Sequence, residues 1–126
     1  MIGRDGKDIP EEEALGYIAA YTCGNDVSAR KLQTAVPQWA FSKGFDTFAP
    51  MGPCLVRSTL IEDPKQLRLR TSINGETRQD EMVADLVFDC ARLISFLSSG
   101  TTLRKGSIIM TGTPGGKYGI WNHKYH

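Results

Sequence analysis

Residues 67–80, LRLRTSINGETRQD, decide how the rest of this chain is read. Leu67, Leu69, Thr71 and Ile73 alternate with Arg68, Arg70 and Ser72, the period of two that gives a strand one apolar face. Asn74-Gly75 supplies two residues that tolerate positive φ, as a type I′ turn requires, and Glu76 to Asp80 returns as the second strand. The spacing predicts a β-hairpin.

Helices flank it on both sides. Pro10 followed by Glu11, Glu12 and Glu13 predicts a helix start, because proline suits the first helical position and carboxylates favour the positive end of the helix dipole. Ala14, Leu15, Ile18 and Ala19 then share one face, with Gly24 as the stop. Ser28 to Ala35 reads as a second helix, capped by Ser28 and ended by Pro37. After the hairpin, Asp89 caps a helix that carries Leu93, Ile94 and Leu97 on one side and ends at Gly100. Ser107 to Met110 is a short apolar strand emptying into the loop Thr111-Gly112-Thr113-Pro114-Gly115-Gly116. Periodicity alone therefore gives an α+β class, with no periodicity in the tail KYGIWNHKYH.

Composition narrows the function classes. The 126 residues are 40% hydrophobic and 23% charged, the balance of one ordinary globular domain. Fifteen basic against fourteen acidic residues, a formal charge of +1, leave no electrostatic footprint for nucleic acid or an anionic membrane surface. The longest apolar stretches, Ile18-Ala19-Ala20 and Ser107-Ile108-Ile109-Met110, fall far short of the roughly 20 residues of a membrane span. Arg4, Asp5, Lys7 and Asp8 interrupt any secretory h-region, so no leader is expected at the start. Cys23, Cys54 and Cys90 are odd in number, without a CxxC pair or a nearby histidine cluster, and read as buried thiols in a reducing compartment, cytoplasmic or mitochondrial.

The candidate chemistry lies in GNDVSARKLQ, residues 24–33, and SKGFDTFAPMGP, residues 42–53. Asp26, beside the small Gly24 and the turn-former Asn25, can offer a carboxylate to a hard cation, though spacing alone favours a helix cap. Arg30 and Gln33 stand three apart on a helix and share a face, which suits either solvation or a fork of donors for a carboxylate-bearing substrate. Lys43, in a loop between Ser42 and Gly44, is an ordinary solvated lysine or a positive charge facing an enolate. Thr111 and Thr113 with their glycines form either a plain tight turn or a cradle for anionic oxygens.

Taken together, GNDVSARKLQ, QWAFSKGFDTFAPMGP, the INGETRQ hairpin, DLVFD and IIMTGTPGG resemble, in order and spacing, the C-terminal catalytic domain of the fumarylacetoacetate hydrolase family. Within it the resemblance is greatest to the fumarylacetoacetate hydrolase domain-containing proteins. It implies a mostly β architecture, a mixed β-sandwich or β-roll with a few short helices. The partial domain covers residues 1–116, and 117–126 is a divergent tail. It also implies a small keto-acid substrate and a divalent metal, Mg2+ with Mn2+ or Ca2+ as alternatives. Asp26 would be a metal ligand, Arg30 and Gln33 would bind substrate carboxylate and keto oxygens, Lys43 would bind substrate and stabilise negative charge catalytically, and Thr113 would bind the far side of the substrate. Members hydrolyse carbon-carbon bonds of β-diketo acids, decarboxylate oxaloacetate or isomerise related keto acids, in each case through an enolate.

Several features depart from the pattern. The family's two further metal ligands, a Glu-x-Glu on a strand, are expected before Ile2, and its catalytic histidine with a glutamate partner on an upstream lid. Glu11 and Glu13 have that spacing but sit at a helix start, where i and i+2 point about 200° apart. The histidines present, His123 and His126, are in the tail, and Ser107 stands where the family usually has aspartate. The chain is therefore expected to be truncated at both ends. Two functions compete: a metal-dependent keto-acid hydrolase or lyase, or an inactive family member that keeps the fold and a self-association surface. A homodimer, or association with a full-length relative, is expected because missing strands leave open sheet edges.

Overall fold

The chain after Pro10 begins as its sequence predicts and then departs from it. A computed structural model describes residues 1–115. Glu11–Tyr17 is helical but wound as 3₁₀ turns, and Ile18 is already extended (φ −87°, ψ 122°). Ala20–Gly24, expected as the last helical turn, is strand β1. Its partner is β2, Met51–Arg57, antiparallel with Ala20 opposite Arg57 and Gly24 opposite Met51. Helical spacing of Ile18 and Ala19 loses because extended backbone gains partners on two sides: Gly3 N–H donates to Tyr17 O at 2.7 Å and Ala19 N–H to Met1 O at 2.9 Å on one, and Ser58 N–H donates to Ala19 O at 2.9 Å on the other. Tyr21, Thr22 and Cys23 then run into the β2 ladder, where tertiary pairing overrides local preference.

Those backbone bonds assemble the core. Ile2, Ile9, Ala14, Ile18 and Ile94 form one buried cluster, with Tyr17, Tyr21, Cys90, Leu103 and Ile109 packed around it. Ile94 comes from the helix α3, Cys90–Ser98, which packs on the Glu11–Tyr17 turns. Its capping is as predicted: the Asp89 carboxylate accepts from Arg92 N–H at 2.9 Å, and Gly100 follows the helix at φ +71°.

The hairpin also forms, as β3 (Arg68–Ile73) and β4 (Glu76–Met82), two residues longer in its return strand than Asp80 suggested. Asn74 and Gly75 take φ of 52° and 80°, the pair of positive values a type I′ turn needs. The two sheets, β1–β2 and β3–β4, are each two-stranded and antiparallel, with short helices between them, an α+β arrangement. The predicted strand at Ser107 to Met110 is not a strand. Ile2 N–H reaches Ser107 O at 2.8 Å and Gly106 N–H reaches Ile2 O at 2.8 Å. Beyond that anchor no neighbour among the described residues continues the ladder, and the chain runs on irregularly to Gly115.

Candidate functional site

β1 delivers the chain to Asp26, and the bond from Asn25 N–H to Pro50 O (3.1 Å) keeps this stretch beside the approach to β2. The helix that follows, α1, spans Arg30–Ala35, shorter than the predicted Ser28 to Ala35. Ser28 does not cap it: the N-cap is Ala29, without a side-chain cap bond, and Ser28 Oγ donates to Asp26 O at 3.1 Å. Asp26 does not cap it either. Its carboxylate turns away and pairs with the Lys43 ammonium. The physical reason is tertiary. Ala29 N–H donates to Ser42 O (2.9 Å), so the neighbouring helix anchors the start of α1 and leaves Asp26 free to reach across.

That neighbour is α2, Ala40–Lys43, which corrects the expectation that Lys43 lies in a loop. Gly44 N–H closes the helix on Ala40 O, and Lys43 projects from its last turn with Nζ 5.9 Å from the centre of the Trp39 ring. Ser42 is fully buried between these pieces, its hydroxyl donating to Trp39 O at 2.8 Å. The Asp26 side chain is 51% exposed and that of Lys43 27%, so the pair is held yet open to a ligand.

Arg30 and Gln33 share a face of α1 as predicted, with Arg30 Nη1 donating to Gln33 Oε1 at 2.7 Å. The bond engages the amide oxygen of Gln33 and leaves its N–H₂ group and the remaining guanidinium N–H groups, all donors, for anionic oxygens. Between α2 and β2 the loop holds two non-glycine residues in the left-handed region, Thr47 at φ 68° and Ala49 at φ 55°. Such strain, about 1–3 kcal/mol per residue, persists where surrounding contacts enforce it. Here the edge-to-face pair Phe45–Phe48, 5.4 Å between ring centres, braces the loop. Beyond it an open hollow of about 370 Å³ is lined by Cys23, Gly24, Asn25, Pro50, Met51, Gly52 and Pro53. It borders Asp26 in sequence, but none of the five candidate side chains lines it.

Thr113 sits apart from these four in its bonding. It is exposed, and its Oγ1 accepts from Gln79 Nε2 on β4 at 2.5 Å. The same nitrogen donates to Pro114 O at 2.7 Å and lies 3.4 Å from Gly115 O. Gln79 is the residue that sequence reasoning passed over. It stood in the INGETRQ block, and strand alternation assigns it a face without showing that the Thr113 loop crosses that face. The loop is tied toward β1 as well, since the Met110 methyl lies 3.0 Å from where a Cβ on Gly24 would stand.

Among the described residues no group of three or more His, Cys, Asp or Glu side chains is placed to hold a cation. Asp26 offers one carboxylate. Glu11 pairs with Arg92 at 3.4 Å, and His123 and His126 lie outside the described residues. Among the described residues no helix is long and apolar enough to cross a membrane.

The family model described as fumarylacetoacetate (FAA) hydrolase C-terminal matches residues 1–124. The chain is 43% identical over 116 residues to oxaloacetate tautomerase YisK of Bacillus subtilis, covering 92% of this chain and 38% of the relative. It is 42% identical over 118 residues to the mitochondrial oxaloacetate tautomerase fahd2 of Xenopus laevis, covering 92% and 37%. Its fold matches the crystal structure of fumarylpyruvate hydrolase from Pseudomonas aeruginosa in complex with Mn2+ and pyruvate, with a TM-score of 0.85 at 34% identity, covering 91% of this chain and 51% of that one. The chain thus spans about half or less of the length of the relatives it matches.

Proposed function

The chain belongs to the fumarylacetoacetate hydrolase family, and from that premise we propose that it carries the enolate-stabilising part of a metal-dependent site for β-keto or β-diketo acids. The reaction class is hydrolysis, decarboxylation or tautomerisation of acylpyruvate-like or oxaloacetate-like substrates. The observation that carries this reading is the Lys43–Asp26 pair, which holds an ammonium at the end of α2 while α1 turns the donors of Arg30 and Gln33 outward.

The donor set of the described residues does not complete a cation site. Asp26 supplies one oxygen where a hard divalent ion takes about six. Mg2+, or Mn2+ or Ca2+ in its place, would need further ligands from outside these residues, so each step assigned here belongs to the chain's own side chains. Arg30 and Gln33 bind the substrate carboxylate through charge-assisted bonds. When the carbon-carbon bond breaks, the other carbon leaves as carbon dioxide or, once water has added to it, as a carboxylic acid; in tautomerisation the proton passes to solvent water. In each case the electron pair moves toward the keto oxygen, and the Lys43 ammonium stabilises the enolate charge. Asp26 keeps that ammonium in position, and the Thr113 hydroxyl binds the far end of the substrate.

A specific observation favours the second reading, a non-catalytic family member with a self-association surface. Met51, Leu55 and Val56 are exposed on β2, whose ladder among the described residues is to β1 alone, and an open apolar edge invites pairing with another copy or a full-length relative. Cys23 and Cys54 are exposed and Cys90 only half-buried, where the sequence led us to expect buried thiols, and three free cysteines fit a reducing compartment, cytoplasmic or mitochondrial, under either reading. Calorimetric titration with Mg2+ and Mn2+, followed by oxaloacetate and acylpyruvate turnover on the same sample, separates the two. Turnover that Lys43→Ala lowers by about 10²–10³-fold supports the enzyme, whereas silence in both assays with a dimer by light scattering supports the second reading.

A further inference from the structure

Gln79 is bound to the candidate site loop by more contacts than a strand side chain needs. Its Nε2 donates to Thr113 Oγ1 and Pro114 O, approaches Gly115 O, and its Oε1 accepts from Thr71 Oγ1 at 3.2 Å on the paired strand. Carbonyl oxygens only accept, so the nitrogen of the amide must face Pro114 and Gly115 and its oxygen must face Thr71. The amide is thereby locked in one orientation between β3 and the loop.

This has a chemical consequence at Thr113. A hydroxyl whose oxygen already accepts a bond keeps its own hydrogen to give away, and a threonine side chain on an exposed loop turns that hydrogen outward. The geometry points to Gln79 as a positioning residue: it clamps Thr113 to Gly115 and orients the Thr113 hydroxyl as a donor to an anionic ligand oxygen. The inference rests on the reading of Thr113 as a substrate-binding residue. Gln79 itself touches no substrate. It acts by fixing the polarity of a neighbour, so an isosteric change that reverses its hydrogen-bonding sense matters as much as truncation. In Gln79→Glu the carboxylate would accept the Thr113 hydrogen, turning the donor inward, and would face two carbonyls.

Two measurements on the 126-residue chain test this. In ligand-free NMR spectra, the Thr113 methyl and Gly115 amide signals move from their wild-type positions in both Gln79→Ala and Gln79→Glu; signals left in place overturn the clamp. In calorimetry with pyruvate in the presence of Mn2+, Gln79→Glu and Thr113→Val each weaken binding about 10-fold, the scale of one lost hydrogen bond. The double variant weakens it no further, because both changes remove the same donor. A fully additive loss, or Gln79→Glu binding as the wild type does, overturns the positioning role. Absence of pyruvate binding by the wild type overturns the keto-acid reading and the ligand half of this inference, while the spectra still decide the clamp.

Discussion

Lys43 Nζ is ion-paired with the Asp26 carboxylate, joining the last residue of α2 to the turn that follows β1. Both side chains are partly exposed, so the pair contributes only about 0–1 kcal/mol to stability. Its effect is to place a charge. We expect Lys43→Ala to lower keto-acid turnover by about 10²–10³-fold, the cost of removing one preorganised group from a developing oxyanion. The thermal midpoint should move by about 5 °C or less. Steady-state kinetics and a melting curve on the same sample check this, and a large loss of stability would assign the pair to the fold instead.

Ser98 is fully buried, and its hydroxyl accepts from Ile9 N–H at 3.0 Å while donating to Ser95 O at 3.0 Å. Ser98→Ala strands the Ile9 N–H inside the core cluster. A loss of about 1–3 kcal/mol is expected, the usual penalty for a buried donor without a partner. Urea unfolding should show a lower midpoint at unchanged slope. A midpoint equal to wild type would mean that Ile9 N–H finds another acceptor.

Gly6 lies where its neighbours leave no room. A Cβ there would stand 2.5 Å from Tyr17 Cε1 and 2.7 Å from Ile9 Cδ1. The backbone cannot retreat, because Gly6 N–H donates to Leu103 O and Leu103 N–H to Gly6 O. Gly6→Ala must therefore displace the Tyr17 ring, over which the Arg4 guanidinium sits 4.0 Å from the centre, at a cost of about 1–3 kcal/mol. Gly16→Ala is the control, since its nearest neighbour would be the flexible Arg4 Nη2 at 3.9 Å, and it should be close to neutral. Equal stabilities for the two variants would contradict the packing described.

Stability should fall on the alkaline side. Burial, reinforced by the Cys90 and Asp63 charges, pushes the Tyr21 phenol up to about 12, and burial with the Asp89 charge pushes the Cys90 thiol up. Both are acids that the fold keeps neutral, so their contribution is complete below the unfolded values, about 8.5 for the thiol and about 10 for the phenol. It is lost as pH rises through the folded values. Melting curves should show midpoints declining above about pH 8.5 and more steeply above about 10, with Tyr21→Phe flattening the upper limb. In parallel, a thiol reagent at neutral pH should modify the exposed Cys23 and Cys54 faster than Cys90. A flat pH profile, or three thiols reacting alike, would contradict these environments.

Several parts of the fold were legible one residue at a time. The positive φ values at Asn74 and Gly75, the Asp89 cap and the stop at Gly100 follow from side chains or glycines acting on their own neighbours. The shared face of Arg30 and Gln33 is equally local, a consequence of helical spacing. Cys23 to Gly24 illustrates the opposite case. The same apolar spacing that continues a helix also suits a strand, and the choice was made by Met51 to Arg57, some thirty residues away, offering a ladder.

The candidate site divides along that same line. Residue type and spacing offered Asp26, Arg30, Gln33, Lys43 and Thr113 only beside plainer readings, a helix cap, solvated side chains and a tight turn, and it was the resemblance of the ordered blocks to the family that singled them out. Which of them meet was decided in three dimensions: Asp26 takes Lys43 instead of a helix N-terminus, and Thr113 takes Gln79. Those contacts join residues 17 and 34 positions apart, and they exist only because packing of α1 on α2 and of the 111–115 loop on β4 brings the groups within bonding distance. A hydrogen bond is made or lost over about half an ångström, a precision that spacing along a chain does not contain and a packed tertiary structure imposes.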